Sequence, residues 1–288
     1  MRYWSRSTKV SSKAGPTDHQ KNAHTLWQGM RVLVARPLEQ GASLSSHLRQ
    51  LGASVVQFPA ISVEPTPDSP QLKNCFLNLD QYSHVIAISA HAVQYGLDWI
   101  DQYWPQLPLN INWYAVGDKT ARALREAEIP AVSSKTGFDS ESLLNLSELT
   151  DLEHQKVLIM RGTGGRELLK HQLEQRGAIV DYAELYQRNC PTYTVSEIND
   201  ALITFSPNIL VALSGETLHN LVKISQNKDI AIERQHSMTD KAVLVPSHRV
   251  AEIAKSLGFS KIWVPQALNE QALVDCIESN YIAINDMS

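Results

Sequence analysis

The chain has 288 residues, 43% hydrophobic and 19% charged, a globular composition with room for two domains of ordinary size. No apolar run approaches the ~18 residues of a membrane span. Three widely separated cysteines (Cys75, Cys190, Cys276), in no metal-ligand spacing, argue against a disulfide framework and for a reducing compartment, so a cytoplasmic location is expected. The net charge of −4 divides into +4 over residues 1–29 and −8 over the rest. Such an acidic body argues against non-specific binding of nucleic acid or anionic membrane, and any anionic ligand must be held by local geometry.

Residues 1–29 lack both hydrophobic periodicity and the apolar core of a secretory signal. Their basic, acid-poor make-up suits a transit peptide. Met30, directly before the first strand, favours an upstream extension, and the segment is expected to be disordered and outside the fold. From Arg31 the chain reads as strand (Val32-Leu33-Val34), amphipathic helix (Leu44, Leu48, Leu51), glycine cap (Gly52) and strand (Val55-Val56). A buried strand Val85-Ile86-Ala87-Ile88-Ser89 follows. Next come Tyr114-Ala115-Val116-Gly117 with its helix, and a capped helix at Asp139 to Leu144. Lys156 to Tyr186 then repeats Arg31 to Ile61 without a gap, 125 positions on: Val32 matches Val157, Arg36 matches Arg161, Leu48 matches Leu173 and Gly52 matches Gly177. The same offset sets Leu210-Val211-Ala212-Leu213-Ser214 against Val85 to Ser89. Val243 to Pro246 and Asn269 to Val274 complete four pairs in one order. Each unit reads as β-α-β-β-α-β-α plus a terminal helix. Continuous apolar strands alternating with amphipathic helices predict an α/β protein of two similar parallel-sheet lobes from an internal duplication.

In parallel α/β sheets ligands bind beyond the carboxyl ends of the strands. Ser89-Ala90-His91 and Ser214-Gly215 each follow a buried strand and open a helix, as do Gly117 with Thr120 and Ser247 with Arg249. Arg36 and Arg161-Gly162 end the first strand of each unit. The free N–H groups of a helix's first turn hold anions without a lysine, so six such starts facing one cleft suit a ligand with many carboxylates or phosphates. Simple capping explains each start equally well, and a structural ion pair explains each arginine. Tyr186 ends its strand where the other unit has Ile61; there it either overlooks the cleft as a neutral proton donor or merely packs. Residues 161–165 fail the P-loop and dinucleotide patterns, and the ten scattered histidines suggest no metal.

Several stretches together resemble the uroporphyrinogen-III synthase family. They are Val32 to Pro37, Ser89 to Val93, Ala115-Val116-Gly117 with Thr120-Ala121, Leu158 to Gly162 with Gly165 to Leu168, Leu185 to Arg188, and Ser214-Gly215-Glu216. The resemblance covers Met30 to Ile277, and the ordered set carries it. It implies that lobe 1 is discontinuous (30–61 plus 190–288), that lobe 2 is 62–189, and that a two-stranded β linker joins them near 61–63 and 187–190. It implies the reaction as well. Hydroxymethylbilane, a linear tetrapyrrole with eight carboxylates, loses its terminal hydroxyl, inverts ring D through a spiro intermediate and closes with loss of water. Neither cofactor nor metal is implied.

By position, Tyr186 matches the tyrosine that protonates the hydroxyl, and Thr120 matches a cleft threonine. Ser89, Ser214 and Ser247 match residues whose main-chain N–H groups hold carboxylates. A monomer is expected, its lobes closing on the ligand, with hydroxymethylbilane synthase as a transient partner. Glu128-Ile129 departs from the family's helix-ending glycine. A two-lobed cytoplasmic binding module for carboxylate ligands, and a two-lobed nucleotide-sugar transferase, are the alternatives.

Overall fold

The structure, a computed structural model, describes residues 26–134, 140–165, 167–226 and 238–285. Residues 1–25, the expected cap Asp139, and Arg166 lie outside them. In chain order, β1 (Arg31–Val34), α1 (Leu38–Leu51) and β2 (Ser54–Gln57) begin a unit that the chain leaves after Ile61 and rejoins at Cys190. Between these points lie β3 (Ser62–Pro65), α2 (Pro70–Leu77), β4 (His84–Ala87), α3 (Ala90–Tyr103), β5 (Asn112–Ala115) and α4 (Asp118–Glu126). That second unit continues through β6 (Ala131–Ser133), α5 (Ser140–Leu143), β7 (Lys156–Gly162), α6 (Leu168–Gln175) and β8 (Ile179–Asn189). The first unit is completed by α7 (Val195–Asn199), β9 (Ile209–Val211), α8 (Gly215–Ser225), β10 (Ala242–Leu244), α9 (His248–Ser256), β11 (Lys261–Trp263) and α10 (Glu270–Asn285).

Among the described residues the discontinuous unit holds a five-stranded parallel sheet in the order β11-β10-β9-β1-β2. Successive side chains of β1 enter opposite cores. Val32 and Val34 join Leu44, Leu48, Val211 and Ile277, while Leu33 joins Leu210, Leu218, Val243 and Phe259. Burial on both faces is why these strands are unbroken apolar runs, each buried aliphatic side chain contributing about 1.5–3 kcal/mol. Trp27 corrects the boundary expected at Met30: it is 2% exposed and packs in this core. The carbonyl of Gly29 accepts from Asn208 (2.8 Å) and from the Tyr281 hydroxyl (3.0 Å). Residues 26–29 therefore belong to the fold, because an indole released from this core would expose a large apolar surface.

The second unit holds a six-stranded sheet, β3-β8-β7-β4-β5-β6, parallel except for the edge pair β3–β8. Ser62 to Pro65 pair with Asn189 to Tyr186 in antiparallel register, at the two points where the chain passes between units. Again the strands feed two cores, Val85, Leu158, Met160 and Leu185 on one face, Ile86, Val157 and Ile159 on the other. The registers repeat as well as the residues do. Arg31 pairs with Ser54 and Val32 with Ile209, while Lys156 pairs with Ile179 and Val157 with His84, the same pairs displaced by 125 positions.

Four of the helix ends share one left-handed turn. The turns after α1, α6 and α9 are closed by left-handed glycines, Gly52 (φ 112°), Gly177 (φ 88°) and Gly258 (φ 94°). After α4 the left-handed position is filled by Glu128 (φ 59°), so the missing glycine changes the residue and not the turn. Among the described residues no helix is long and apolar enough to cross a membrane, and no cluster of His, Cys, Asp or Glu is placed to hold a metal ion.

Candidate active site

Each sheet reverses its winding once. In the second unit the chain proceeds β4-β5-β6 to one side and β7-β8 to the other, so the reversal lies between β4 and β7. In the first it proceeds β9-β10-β11 to one side and β1-β2 to the other, so the reversal lies between β9 and β1. The space beyond the strand carboxyl ends at such a reversal is where open α/β sheets take ligands. Ser89, just past β4, and Arg161-Gly162, ending β7, flank one reversal. Ser214, just past β9, and Arg36, just past β1, flank the other.

At the first of these places Tyr186 is the centre. Its ring is 4% exposed and packs near His91 (5.7 Å between centroids) and Tyr95 (6.1 Å). Its hydroxyl meets Ser89 Oγ at 2.9 Å. The same Oγ accepts from the Ala92 backbone N–H at 3.1 Å, so Ser89 caps α3 and holds the phenol together. Gly162 forms the floor: a Cβ there would lie 2.7 Å from the ring of Tyr186. The Thr163 N–H donates to the Tyr186 carbonyl at 2.7 Å just past the register shift at Arg161/Gly162. Tyr186 is thus drawn inward, and it lies within β8, which runs on to Asn189, and not at the strand's end as expected.

Arg161, expected among the ligand-binding residues, is held inward. It is 2% exposed, lies 4.3 Å over the ring of Tyr182, and is committed to its own loop. Its Nε donates to the Gly162 carbonyl (3.2 Å), one terminal nitrogen to the Gly164 carbonyl and the other to Glu167 Oε1 (3.2 Å). The structural ion pair is what this residue makes. The Tyr182 hydroxyl donates to Glu167 Oε2 at 2.8 Å; that bond, with Arg161 beside it, holds the Glu167 carboxyl below the usual range. Burial, followed by the carboxylate it serves, pushes the Tyr182 phenol up. Thr120, in the first turn of α4, is 3% exposed, and its N-cap Gly117 has φ 81°. Ala90 is exposed beside Ser89.

In the first unit Ser214 repeats Ser89 almost angle for angle, with φ −157° and ψ 158° against −159° and 160°. Its Oγ accepts from the Thr217 N–H at 3.0 Å and meets Thr217 Oγ1 at 2.7 Å, and Gly215 opens α8 behind it. Ser247 caps α9 in the same extended conformation without a side-chain bond, and Arg249 is exposed in the first turn. Arg36 is half-buried; its guanidinium has no hydrogen-bond or ion-pair partner among the described residues, and desolvation lowers its pKa. The equivalent arginines therefore differ, one consumed by its loop and one open to an anion.

Sequence reasoning missed Tyr95, whose hydroxyl donates to the Val63 carbonyl at 3.3 Å, and the pair Tyr182–Glu167. The four-residue spacing of His91 and Tyr95 places both on one face of α3 and was a usable signal. Nothing local marks Glu184, which accepts from the Gly164 N–H at 3.2 Å.

Comparison with known proteins adds an independent finding. The family model described as uroporphyrinogen-III synthase HemD matches residues 42–275. The uroporphyrinogen-III synthase of Escherichia coli (strain K12) is 33% identical over 253 residues, spanning 86% of this chain and 100% of that protein. The Salmonella typhimurium (strain LT2) uroporphyrinogen-III synthase is 33% identical over 261 residues, again 86% and 100%. A solved uroporphyrinogen III synthase from Thermus thermophilus superposes with a TM-score of 0.57 at 20% identity, over 88% of this chain and 100% of that one. The Helicobacter pylori 26695 enzyme gives 0.54 at 15%, over 87% and 99%. At these identities the two structures speak for the fold.

Proposed function

The chain belongs to the uroporphyrinogen-III synthase family, and from that premise we propose that it cyclises hydroxymethylbilane to uroporphyrinogen III, inverting ring D and releasing water. The observation that carries the reading is the match to the family's members along their whole length. The chemistry asked of the protein is modest: hold a polyacid in one conformer, and supply a proton to a departing hydroxyl. For holding, each unit offers helix starts whose free N–H groups bind carboxylates, at Ser89, Ala90, His91, Gly117 and Thr120 in one and at Ser214, Gly215, Ser247 and Arg249 in the other. Arg36 adds a cation with no competing partner among the described residues. Local donors are needed because the body of the protein is itself acidic. For the proton, Tyr186 is the donor of choice, a phenol beside the winding reversal with its orientation fixed by Ser89, His91 and Gly162.

Fresh hydroxymethylbilane, incubated with the protein and resolved into isomers, tests this directly. Type III product is expected. Type I alone, the product of unassisted head-to-tail closure, would favour a carboxylate-binding module instead. The same proposal has the chain acting as a cytoplasmic monomer that takes the bilane transiently from hydroxymethylbilane synthase. Sedimentation of the pure protein, and its capture of that synthase, test those two points.

A further inference from the structure

We propose that Ser89 is the residue that hands the proton to the substrate, with Tyr186 as the acid behind it, a two-hydroxyl relay resting on the synthase reading above. Tyr186 is 4% exposed and walled by His91, Tyr95 and Gly162. Its hydroxyl is engaged by Ser89 Oγ at 2.9 Å. Ser89 is the more open of the two and stands at the winding reversal, next to the exposed Ala90.

Either hydroxyl of the pair can donate, and relative acidity gives the chain its direction. A serine hydroxyl has one proton and two lone pairs. The Ala92 N–H occupies one lone pair at 3.1 Å. With the Tyr186 O–H donating to the other, the serine keeps its proton free to point outward. A phenol is a stronger acid than an alcohol, so this is also the direction in which the bond polarises, each link strengthening the next. The 14-residue helix α3 begins beside the pair, and its positive end stabilises the phenolate that forms.

The step balances without an outside reagent. The Ser89 proton passes to the substrate's terminal hydroxyl; the C–O bond breaks with its electron pair going to oxygen, and water leaves. In the same motion the Tyr186 proton moves to Ser89 Oγ, so serine ends neutral and tyrosine ends as phenolate. When the closing pyrrole regains aromaticity it releases a proton from carbon, which restores the phenol by the same path.

The test uses the full chain and hydroxymethylbilane, with type III product followed by isomer separation. Ser89→Gly removes the hydroxyl at little cost to the cap, since glycine is tolerated at N-caps; Ser89→Thr keeps both hydroxyl and cap. The relay predicts that Ser89→Gly and Tyr186→Phe each lower kcat about 10²-fold or more at unchanged KM. The double variant should be no worse than either, and Ser89→Thr should retain most activity. In mixed light and heavy water the wild-type rate should bow with deuterium content, the signature of two protons in flight. Full kcat in a folded Ser89→Gly protein, with Tyr186→Phe impaired, overturns the relay and leaves the synthase reading standing. Full kcat in Tyr186→Phe overturns both the relay and the tyrosine's role, and absence of type III product from the wild type overturns the reading itself. Should Ser89→Gly fail to fold, the isotope experiment decides, a straight-line dependence overturning the relay.

Discussion

Gly162→Ala is the substitution on which the geometry makes its most exact demand. A Cβ at this position would stand 2.7 Å from both Cε2 and Cζ of Tyr186, well inside the roughly 3.4 Å at which ordinary contact begins. One side of the clash is main chain, held by the Arg161 bond to the Gly162 carbonyl. The other is a rigid ring packed near His91 and Tyr95, so the ring must retreat by about 0.7 Å or more. Overpacking of this kind costs about 1–3 kcal/mol. The clash falls on the hydroxyl end of the ring, so the 2.9 Å bond to Ser89 is lost along with it. Misplacing a reacting group by about 1 Å costs on the order of 10²-fold in rate. Thermal melting and turnover of hydroxymethylbilane under saturating conditions read the two effects separately. The expected result is a Tm lowered by several degrees and kcat lowered by about 10²-fold at near-constant KM. Wild-type kcat in Gly162→Ala would show that the Tyr186 position does not govern the reaction.

Arg36→Gln should raise KM for the bilane about tenfold with little change in Tm or kcat. Arg161→Met should do the reverse, lowering Tm and kcat through the loop it anchors, because two charge-assisted bonds to carbonyls are lost at about 3–6 kcal/mol together. Glu128→Gly should stabilise the protein by about 0.5–1 kcal/mol, read as a higher urea midpoint, since a side chain in the left-handed region costs about 1–2 kcal/mol and glycine returns part of that in entropy. The Ser43 hydroxyl, and after it His47, hold the Glu270 carboxyl below its ordinary value of 4.5. A depressed folded pKa means stabilisation that is complete above the ordinary value and lost as pH falls through the folded one. Urea midpoints of wild type and Glu270→Gln should therefore differ at pH 7 and converge in acid; a constant gap would refute the assignment.

The fold was legible because its signals are periodic. Unbroken apolar strands require burial on both faces, and a 125-position repeat that preserves them preserves the registers Arg31–Ser54 and Lys156–Ile179 as well. Ser89, Ser214 and Gly117 were legible as helix starts because capping is local chemistry. What sequence could not reveal was direction. Whether an arginine at a strand end reaches for solvent or folds back depends on what lies beside it. At Arg161 the neighbours are Tyr182, one strand over, and Glu167, past the turn, whereas at Arg36 the following Pro37 starts the helix at once and leaves no loop carbonyls to receive the guanidinium. Trp27 was missed because one indole before the first strand has no periodicity to betray it.

The two winding reversals make the division of labour intelligible. Each sheet places a capping serine on one side of its reversal and an arginine on the other, in matching register. A ligand bearing like charges along its length needs repeated anion sites, and on the proposed function the helix starts of each unit are those sites. Its reacting end needs something different, a proton donor shielded from water. On the proposed function the second unit meets that need where it departs from the first: Tyr186 stands where Ile61 stands, and Arg161 is turned inward to hold the carbonyl of the Gly162 floor beneath it. Ile61, 8% exposed, shows what the position does when no proton is required: it packs. On the proposed function, the unit that carries Tyr186 is the one that donates as well as binds. The helix starts differ as well, α4 following Gly117 at φ 81° and α9 following the extended Ser247, so on the proposed function the distinction between the ends of the ligand rests on these differences together with Tyr186.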